Sequence, residues 1–206
     1  MKVLLIDDHL LVLDAFKKLL EPEFDVVGTI SDSLSAVSAA VDLKPDVIVL
    51  DLGMPSMNGL EAGRELKKRL PRTKVIVLTM NEDSEIARES LRLWASGYLL
   101  KKSAASELVK AIREALRGRT YVTPRTERQL QEDFIRNPEF KHSKGLTPRQ
   151  REVLKLLADG RTMKETADAL HLTPRTIAFH KYKIMEEFGL KNNSDLVKLA
   201  LREKVV

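Results

Sequence analysis

An aspartate at the end of a short apolar run is the first residue whose position indicates chemistry. Val47–Leu50 lead directly into Asp51, and Gly53 and Pro55 follow closely. A short apolar run bounded by turn residues is typical of a buried strand in a parallel sheet. Open α/β sheets bind ligands beyond the carboxyl ends of their strands, so Asp51 would lie at that edge. Taken alone, an aspartate at such a position is more often a turn or capping residue.

Polar residues follow three other apolar runs in the first half of the chain: Asp7 with Asp8, Thr79, and Lys101. When the first and third strands are neighbours in the sheet, the carboxylates of Asp7, Asp8 and Asp51 converge. Uncompensated carboxylates repel one another. A hard divalent cation offsets that repulsion, and Mg²⁺ prefers carboxylate oxygens. The pattern therefore predicts a Mg²⁺ site at this edge.

These side-chain types also suit phosphoryl transfer. A carboxylate can attack a phosphoryl group and form an aspartyl-phosphate. The transferred group then needs cations and hydrogen-bond donors around its oxygens. Lys101 supplies a flexible point charge, and Thr79 supplies a hydroxyl donor. The predicted edge can therefore serve a phosphoryl group as well as a metal ion.

Strand-like and helix-like segments alternate through residues 1–117. Such alternation predicts βαβ units, a parallel sheet and right-handed crossovers with helices on both faces. We therefore expect an α/β domain with a five-stranded, doubly wound parallel sheet. The predicted strands are Val3–Ile6, Val26–Ile30, Val47–Leu50, Val75–Leu78 and Tyr98–Leu100. The predicted helices are Leu11–Leu20, Leu34–Leu43, Leu60–Leu70, Glu85–Leu93 and Ala105–Leu116.

The 206 residues are enough for two domains, and their charge is unevenly distributed. Residues 1–117 contain 17 Lys and Arg against 18 Asp and Glu, whereas residues 118–206 contain 18 against 12. The basic second half indicates either a polyanionic partner or a solvated basic surface. No apolar run approaches the roughly 18 residues that span a bilayer, and the N-terminus is not a signal peptide. With no cysteine, the composition excludes a disulfide framework and favours a cytoplasmic protein without a membrane partner.

Residues 118–144 are predicted to form a linker. Gly118, Pro124 and Pro138 interrupt any regular pattern, and charges are scattered between them. Thr126–Ile135 has helical spacing and could form one short helix. A tether of this length would let two domains adopt more than one relative arrangement.

Residues 145–206 are predicted to form four helices. Capping boxes place Gln150 three residues after Thr147, and Glu165 three residues after Thr162. The expected starts of the four helices are Thr147, Thr162, Thr173 and Ser194. The second and third helices, joined by a short turn, would form a helix-turn-helix whose second helix can enter a major groove.

The motifs of both halves resemble those of a known family. Asp7-Asp8, Asp51, Thr79 and Tyr98-x-x-Lys101 resemble the receiver domain of bacterial two-component response regulators, over residues 1 to about 117. Leu146-Thr-Pro-Arg-Gln-Arg-Glu-Val-Leu, followed by Thr173-Pro-Arg-Thr-Ile177 and Phe188-Gly-Leu190, is similar to the LuxR-type DNA-binding domain. Together they resemble a NarL/FixJ-family response regulator.

The receiver resemblance implies that a partner histidine kinase phosphorylates Asp51. It also implies a Mg²⁺ ion held directly by Asp8 and Asp51, by Asp7 through water, and by the backbone carbonyl of Gly53. We expect His9 to be a residue of the helix start and not a metal ligand, because the carboxylates already satisfy a hard ion.

The same resemblance implies a switch made of Thr79 and Tyr98. A phosphoryl group would draw the Thr79 hydroxyl inward, and the Tyr98 ring would turn into the space behind it. Trp94 departs from the family, which usually has glycine there. We expect Trp94 near the end of the fourth helix, either packed or part of a partner surface.

The LuxR-type resemblance implies a four-helix domain that binds double-stranded DNA as a dimer. The base edges would meet Ala178, Phe179 and Tyr182, unless Phe179 or Tyr182 packs within the domain. Ala178 and Asn193 stand where basic residues are common in the family. The small and aromatic side chains on the recognition helix favour contacts with thymine methyl groups. His180 is expected to be structural or to face a phosphate. The predicted contacts with the DNA backbone are Lys164, Thr173, Arg175, Thr176, Lys181, Lys183 and Lys191.

The favoured function is a phosphorylation-controlled transcription regulator that is not an enzyme and forms a homodimer on phosphorylation or on DNA. One alternative is a phosphatase of the haloacid-dehalogenase type, but Gly53 stands where those enzymes place a second aspartate, the general acid. Another alternative is a helical output domain that binds protein instead of DNA.

Overall fold

The structure is a computed structural model that describes residues 1–54, 59–136 and 145–205. The contacts within the chain divide it into two compact units, residues 1–138 and 139–206. In the described part of the chain, every helix is too short or too polar to span a bilayer.

The first unit contains a sheet of six parallel strands in the order β2-β1-β3-β4-β5-β6. Five of them are the predicted strands, and β6 is additional. β1 and β3 are neighbours, as the convergence of the carboxylates requires. β3 is buried along its whole length, which explains its continuous apolar sequence. The strands are β1 (Lys2–Ile6), β2 (Asp25–Ile30), β3 (Val47–Asp51), β4 (Lys74–Thr79), β5 (Gly97–Leu100) and β6 (Tyr121–Val122).

The five predicted helices of this unit are present with their ends within two residues of the prediction. On one face of the sheet, Phe16 and Leu108 pack with Val3, Val49 and other strand residues in a single buried cluster. This cluster fixes the strands, and therefore the polar residues that follow them. The helices are α1 (Leu10–Leu20), α2 (Ala36–Leu43), α3 (Gly59–Arg69), α4 (Ser84–Leu93) and α5 (Ala104–Leu116).

The segment predicted as a linker begins with structure that belongs to the first unit. β6 pairs with β5, and α6 (Pro124–Arg136) packs against α4. The backbone N–H of Thr123 donates to the carbonyl oxygen of Tyr98 (3.0 Å), and its hydroxyl accepts from the N–H of Leu100 (3.2 Å). A two-residue strand is too short to produce a periodic signal. The sequence therefore predicted a helix in this segment but not the strand that attaches the segment to the sheet. Residues 137–144 of the predicted linker lie outside the described residues.

The second unit contains the four expected helices, and its first two capping boxes are confirmed at Thr147 and Thr162. The expected cap of the last helix is wrong. Asn192, not Ser194, accepts the capping hydrogen bond from the N–H of Asp195 (3.0 Å). Asparagine and serine are similarly good caps, so the sequence offered two starts. The helices are α7 (Pro148–Ala158), α8 (Met163–Leu170), α9 (Pro174–Phe188) and α10 (Asn193–Arg202).

Trp94 is packed between two helices of the first unit. It lies at the C-terminal end of α4, and only 4% of its surface is exposed. Its indole ring covers Gly63 of α3 so closely that a Cβ atom at Gly63 would come within 2.4 Å of the ring. Of the two expected positions for Trp94, the structure therefore shows the packed one.

We predict that Gly63→Ala destabilises the protein, because the new methyl group must displace a buried ring. Overpacking of this kind costs about 1–3 kcal/mol in the free energy of unfolding. Urea unfolding followed by circular dichroism measures the change.

The same substitution in a Trp94→Gly background provides the control. Without the ring, alanine at position 63 should stabilise α3 by about 0.5–1 kcal/mol through helix propensity. A loss of stability of equal size in both backgrounds would contradict the proposed packing.

Candidate phosphoacceptor and nucleic-acid sites

Adjacent parallel strands bring two carboxylates to one edge of the sheet. Ile6 of β1 pairs with Leu50 of β3, so Asp7 and Asp51 follow at the same level. Both are almost fully buried, with 3% and 2% of their surfaces exposed. The edge predicted from the sequence therefore exists, and its charges are largely shielded from bulk water.

Lys101 lies between these two carboxylates. Its Nζ atom is 2.7 Å from Asp7 Oδ2 and 2.8 Å from Asp51 Oδ2. Its backbone N–H donates to the carbonyl oxygen of Thr79, which fixes the end of β5 against β4. One ammonium group therefore compensates two buried carboxylates only in part.

Burial raises the pKa of the Asp51 carboxyl group above its usual range, whereas the hydrogen bond from Lys101 and the backbone N–H of Gly53 oppose that rise. Burial lowers the pKa of Lys101, but its hydrogen bond to Asp51 and its close contact with Asp7 outweigh burial, and the net shift is upward. The lysine is therefore held in its charged form beside a carboxylate that is costly to ionise.

Gly53 approaches Asp51 at close range. Its backbone N–H donates to Asp51 Oδ1 at 2.8 Å. A Cβ atom at position 53 would lie 3.0 Å from the other carboxylate oxygen, Oδ2. A side chain at this position would therefore crowd Asp51 Oδ2, the oxygen that Lys101 contacts.

The donor set fits a hard divalent cation. Asp7, Asp8, His9 and Asp51 each offer a ligand atom, and these atoms lie within 4.8 Å of one another. Asp7 Oδ2 and Asp8 Oδ1 accept no well-directed hydrogen bond from the described residues, although Lys101 Nζ and His9 Nδ1 lie within 3 Å of them. Buried carboxylate oxygens without a well-directed hydrogen bond are suitable oxygen ligands for Mg²⁺.

His9 lies at the N-terminal end of α1, where it was expected. Its side chain makes no capping hydrogen bond. Its Nδ1 atom lies 3.2 Å from Asp7 Oδ1 and 2.9 Å from Asp8 Oδ1. The imidazole therefore faces the carboxylates, a position that the sequence did not indicate.

Thr79 and Tyr98 contact the same residue, Asn81, through its backbone. The Thr79 hydroxyl oxygen accepts from the N–H of Asn81 (3.1 Å), and the Tyr98 hydroxyl donates to the Asn81 carbonyl oxygen (3.0 Å). The Tyr98 ring is fully buried, so the structure shows it in the inward position. Burial raises the pKa of its hydroxyl, as do the charges of Asp83 and Asp51.

Sequence reasoning did not identify Asn81. Its contacts with Thr79 and Tyr98 use backbone atoms, so they leave no signal in the identity of the side chain, which instead accepts from the N–H of Asp83 (2.8 Å). Its position two residues after Thr79 is the feature that could have indicated it.

In the second unit, α9 presents a partly exposed face. Tyr182 is 56% exposed, whereas Ala178 and Phe179 are half-buried. The Phe179 ring meets His180 edge-on at a centroid distance of 5.0 Å, and His180 is fully buried. Phe179 therefore packs partly within the domain, and Tyr182 is the best placed of the three to meet a base.

The predicted contacts with the DNA backbone are placed unequally. Lys164, Lys191 and Thr173 are exposed, while Arg175, Lys181 and Lys183 are half-buried. Thr173 caps α9 by accepting from the N–H of Thr176 (3.2 Å).

Several of these residues, Thr176 and Lys183 among them, have partners within the domain. Thr176 is only 1% exposed, and its hydroxyl lies 3.0 Å from that of Thr173, so the structure does not place it on the surface. Lys183 Nζ lies 3.9 Å from Glu187 Oε1, one helical turn away. Burial and local pairing, which the sequence pattern alone did not reveal, therefore reduce the predicted set.

Comparisons with known proteins identify a family for each half of the chain. Residues 3–113 match the family model of the response regulator receiver domain, and residues 144–200 match that of bacterial regulatory proteins of the luxR family. The oxygen regulatory protein NreC of Staphylococcus aureus is 35% identical, with 100% of this chain and 99% of NreC covered.

Two solved structures extend this similarity. RcsB from Salmonella enterica serovar Typhimurium, bound to a promoter in the presence of the phosphomimetic BeF₃⁻, has a TM-score of 0.65 at 30% identity, covering 96% of each chain. A structure of two RcsB dimers bound to two parallel DNAs has a TM-score of 0.63 at 30% identity, covering 98% of each chain.

We predict that Mg²⁺ stabilises the wild-type protein against heat more than it stabilises Asp51→Asn, because the substitution removes a carboxylate from the donor set. Binding at a hundred times the dissociation constant contributes about 2.7 kcal/mol. Differential scanning calorimetry over a Mg²⁺ series measures the effect. Asp14→Asn, which changes an exposed acid on α1, is the matched control and should respond like the wild type. Equal shifts for all three proteins would place the ion elsewhere.

Proposed function

The chain belongs to the NarL/FixJ-type response regulators, which join a receiver domain to a LuxR-type DNA-binding domain, and on this basis we propose that phosphorylation of Asp51 controls its binding to DNA. It is a two-component response regulator that acts on transcription. The observation that carries the residue assignment is the buried group of Asp7, Asp51 and Lys101 at the edge of the sheet.

In this proposal, a carboxylate oxygen of Asp51 attacks the phosphorus of a phosphohistidine on the partner kinase. The bond from phosphorus to the imidazole nitrogen breaks, and the histidine keeps the electron pair and takes up a proton. Lys101, already 2.8 Å from Asp51, supplies positive charge to the phosphoryl oxygens. The Thr79 oxygen accepts from Asn81, so its own proton is available for a phosphoryl oxygen.

Mg²⁺, when bound, would neutralise negative charge on the carboxylates and the phosphoryl oxygens. We assign its direct ligands to Asp8, Asp51 and the backbone carbonyl of Gly53, and a water-mediated contact to Asp7. The buried, poorly satisfied oxygens of Asp7 and Asp8 support this assignment.

The proposed output is duplex DNA bound by residues 145–206, with residues 1–117 as the receiver. The helix-turn-helix geometry of α8 and α9 and the excess of basic residues support it. RcsB forms dimers on DNA, and we propose a homodimer for this chain, formed on phosphorylation or on DNA. Because such a regulator must meet DNA, we assign it to the cytoplasm.

The decisive experiment compares the wild type with Asp51→Asn, each treated with acetyl phosphate and Mg²⁺. We expect the wild type to gain the mass of one phosphoryl group, to dimerise and to bind duplex more tightly. Asp51→Asn should do none of these because it lacks the nucleophile. Intact mass, light scattering and fluorescence anisotropy of labelled duplex provide the measurements. Equal responses from both proteins would refute the mechanism.

We predict different effects for two residues of α9. Arg175→Ala should weaken binding similarly for all sequences and lower the salt dependence by about one counterion. Tyr182→Ala should instead cost about 1–3 kcal/mol at the preferred sequence and relax its base preference. Anisotropy titrations at several salt concentrations, with matched and altered duplexes, separate the two effects.

Lys155→Ala, which removes an exposed basic residue of α7, is the control and should change little. Duplex binding that does not depend on salt would instead favour the alternative of a protein-binding output.

A further inference from the structure

Glu82 lies where the phosphoacceptor pocket meets helix α6. It follows Asn81 in the loop between β4 and α4. Its Oε1 atom accepts from Lys102 Nζ, and its Oε2 atom lies 2.7 Å from Arg125 Nη2. Lys102 directly follows Lys101, and Arg125 is the second residue of α6. One carboxylate therefore links the lysine end of the pocket to the start of α6.

A second attachment lies near the other end of α6. The Asp133 carboxylate accepts a hydrogen bond from the hydroxyl of Ser84, the first residue of α4. Arg88, one turn further along α4, has its Nη2 atom 3.4 Å from the same Asp133 oxygen. The helix is therefore fastened at both ends to α4 and to the loop that precedes it.

The side chains described on the inner face of α6 are Thr126, which is fully buried, and Gln129, Leu130 and Asp133, which are half-buried. The attachments at both ends of the helix are hydrogen bonds and partly exposed ion pairs. Partly exposed ion pairs contribute little each to the free energy of folding. Such an element can detach at low free-energy cost while the rest of the domain stays folded.

The pocket and Glu82 are joined by consecutive residues. Asn81 N–H donates to Thr79, and Asn81 C=O accepts from Tyr98. A phosphoryl group on Asp51 would offer new acceptors to Thr79 and to Lys101. Thr79 is hydrogen-bonded to Asn81, and Lys101 directly precedes Lys102. Any displacement of Thr79 or Lys101 is thus passed to the two residues that position Glu82.

We propose that α6 is a latch: phosphorylation of Asp51 moves Asn81 and Glu82, the pairing with Arg125 is lost, and α6 detaches from α4. Release would add residues 124–136 to the stretch of chain that joins the sheet to the DNA-binding helices. The DNA-binding unit then has a longer reach, which helps two protomers to meet two half-sites. This inference rests on the proposed function for its trigger and its output.

Hydrogen exchange of residues 124–136 in the full-length protein tests the latch directly. Glu82→Gln and Asp133→Asn should each speed exchange in α6 by about fivefold without any phosphodonor, the size expected for a partly exposed ion pair. Glu132→Gln, which changes the neighbouring exposed acid of the same helix, is the matched control and should leave exchange unchanged. Unchanged exchange in both test variants would overturn the proposal.

The wild type provides the second arm. After acetyl phosphate and Mg²⁺ have added one phosphoryl group by intact mass, exchange in α6 should rise to the level of Asp133→Asn. A phosphorylated protein with a fully protected α6 would also overturn the latch. If exchange rises but duplex affinity does not, the latch holds and the proposed DNA output fails.

Discussion

The buried pairing of Lys101 with Asp7 and Asp51 is the constraint on which the rest of the first unit depends. Two carboxylates taken out of water against one ammonium group cost free energy that their attraction does not fully return. The fold sustains this arrangement because β1, β3 and β5 are held by a well-packed apolar cluster. The remaining negative charge is what prepares the edge for a cation and for a phosphoryl group.

Much of this site could be predicted from the sequence, because each of its side chains follows a strand whose apolar pattern is unmistakable. Asp7, Asp51, Thr79 and Lys101 needed only the order of the strands to be brought together. The contributions of Asn81 and of β6 could not be predicted in the same way. One acts through backbone atoms, and the other is a strand of two residues.

In the second unit, periodicity predicted which helices form but not how each polar side chain is used. Capping boxes are local patterns, so the starts of α7 and α8 were correct. Thr176 was predicted to contact the DNA backbone, yet it is 1% exposed and its hydroxyl lies beside that of Thr173, the cap of α9. Burial depends on neighbouring helices, which a single helical wheel does not include.

Trp94 has a consequence for how this protein can be observed. It is the sole tryptophan of the chain, and its indole ring is enclosed between α4 and α3, against Gly63. Its emission spectrum therefore reports only on the contact between α3 and the C-terminal end of α4, the helix against which α6 packs. The natural chain thus contains an intrinsic fluorophore by which movements of α4 can be timed in solution without any attached label.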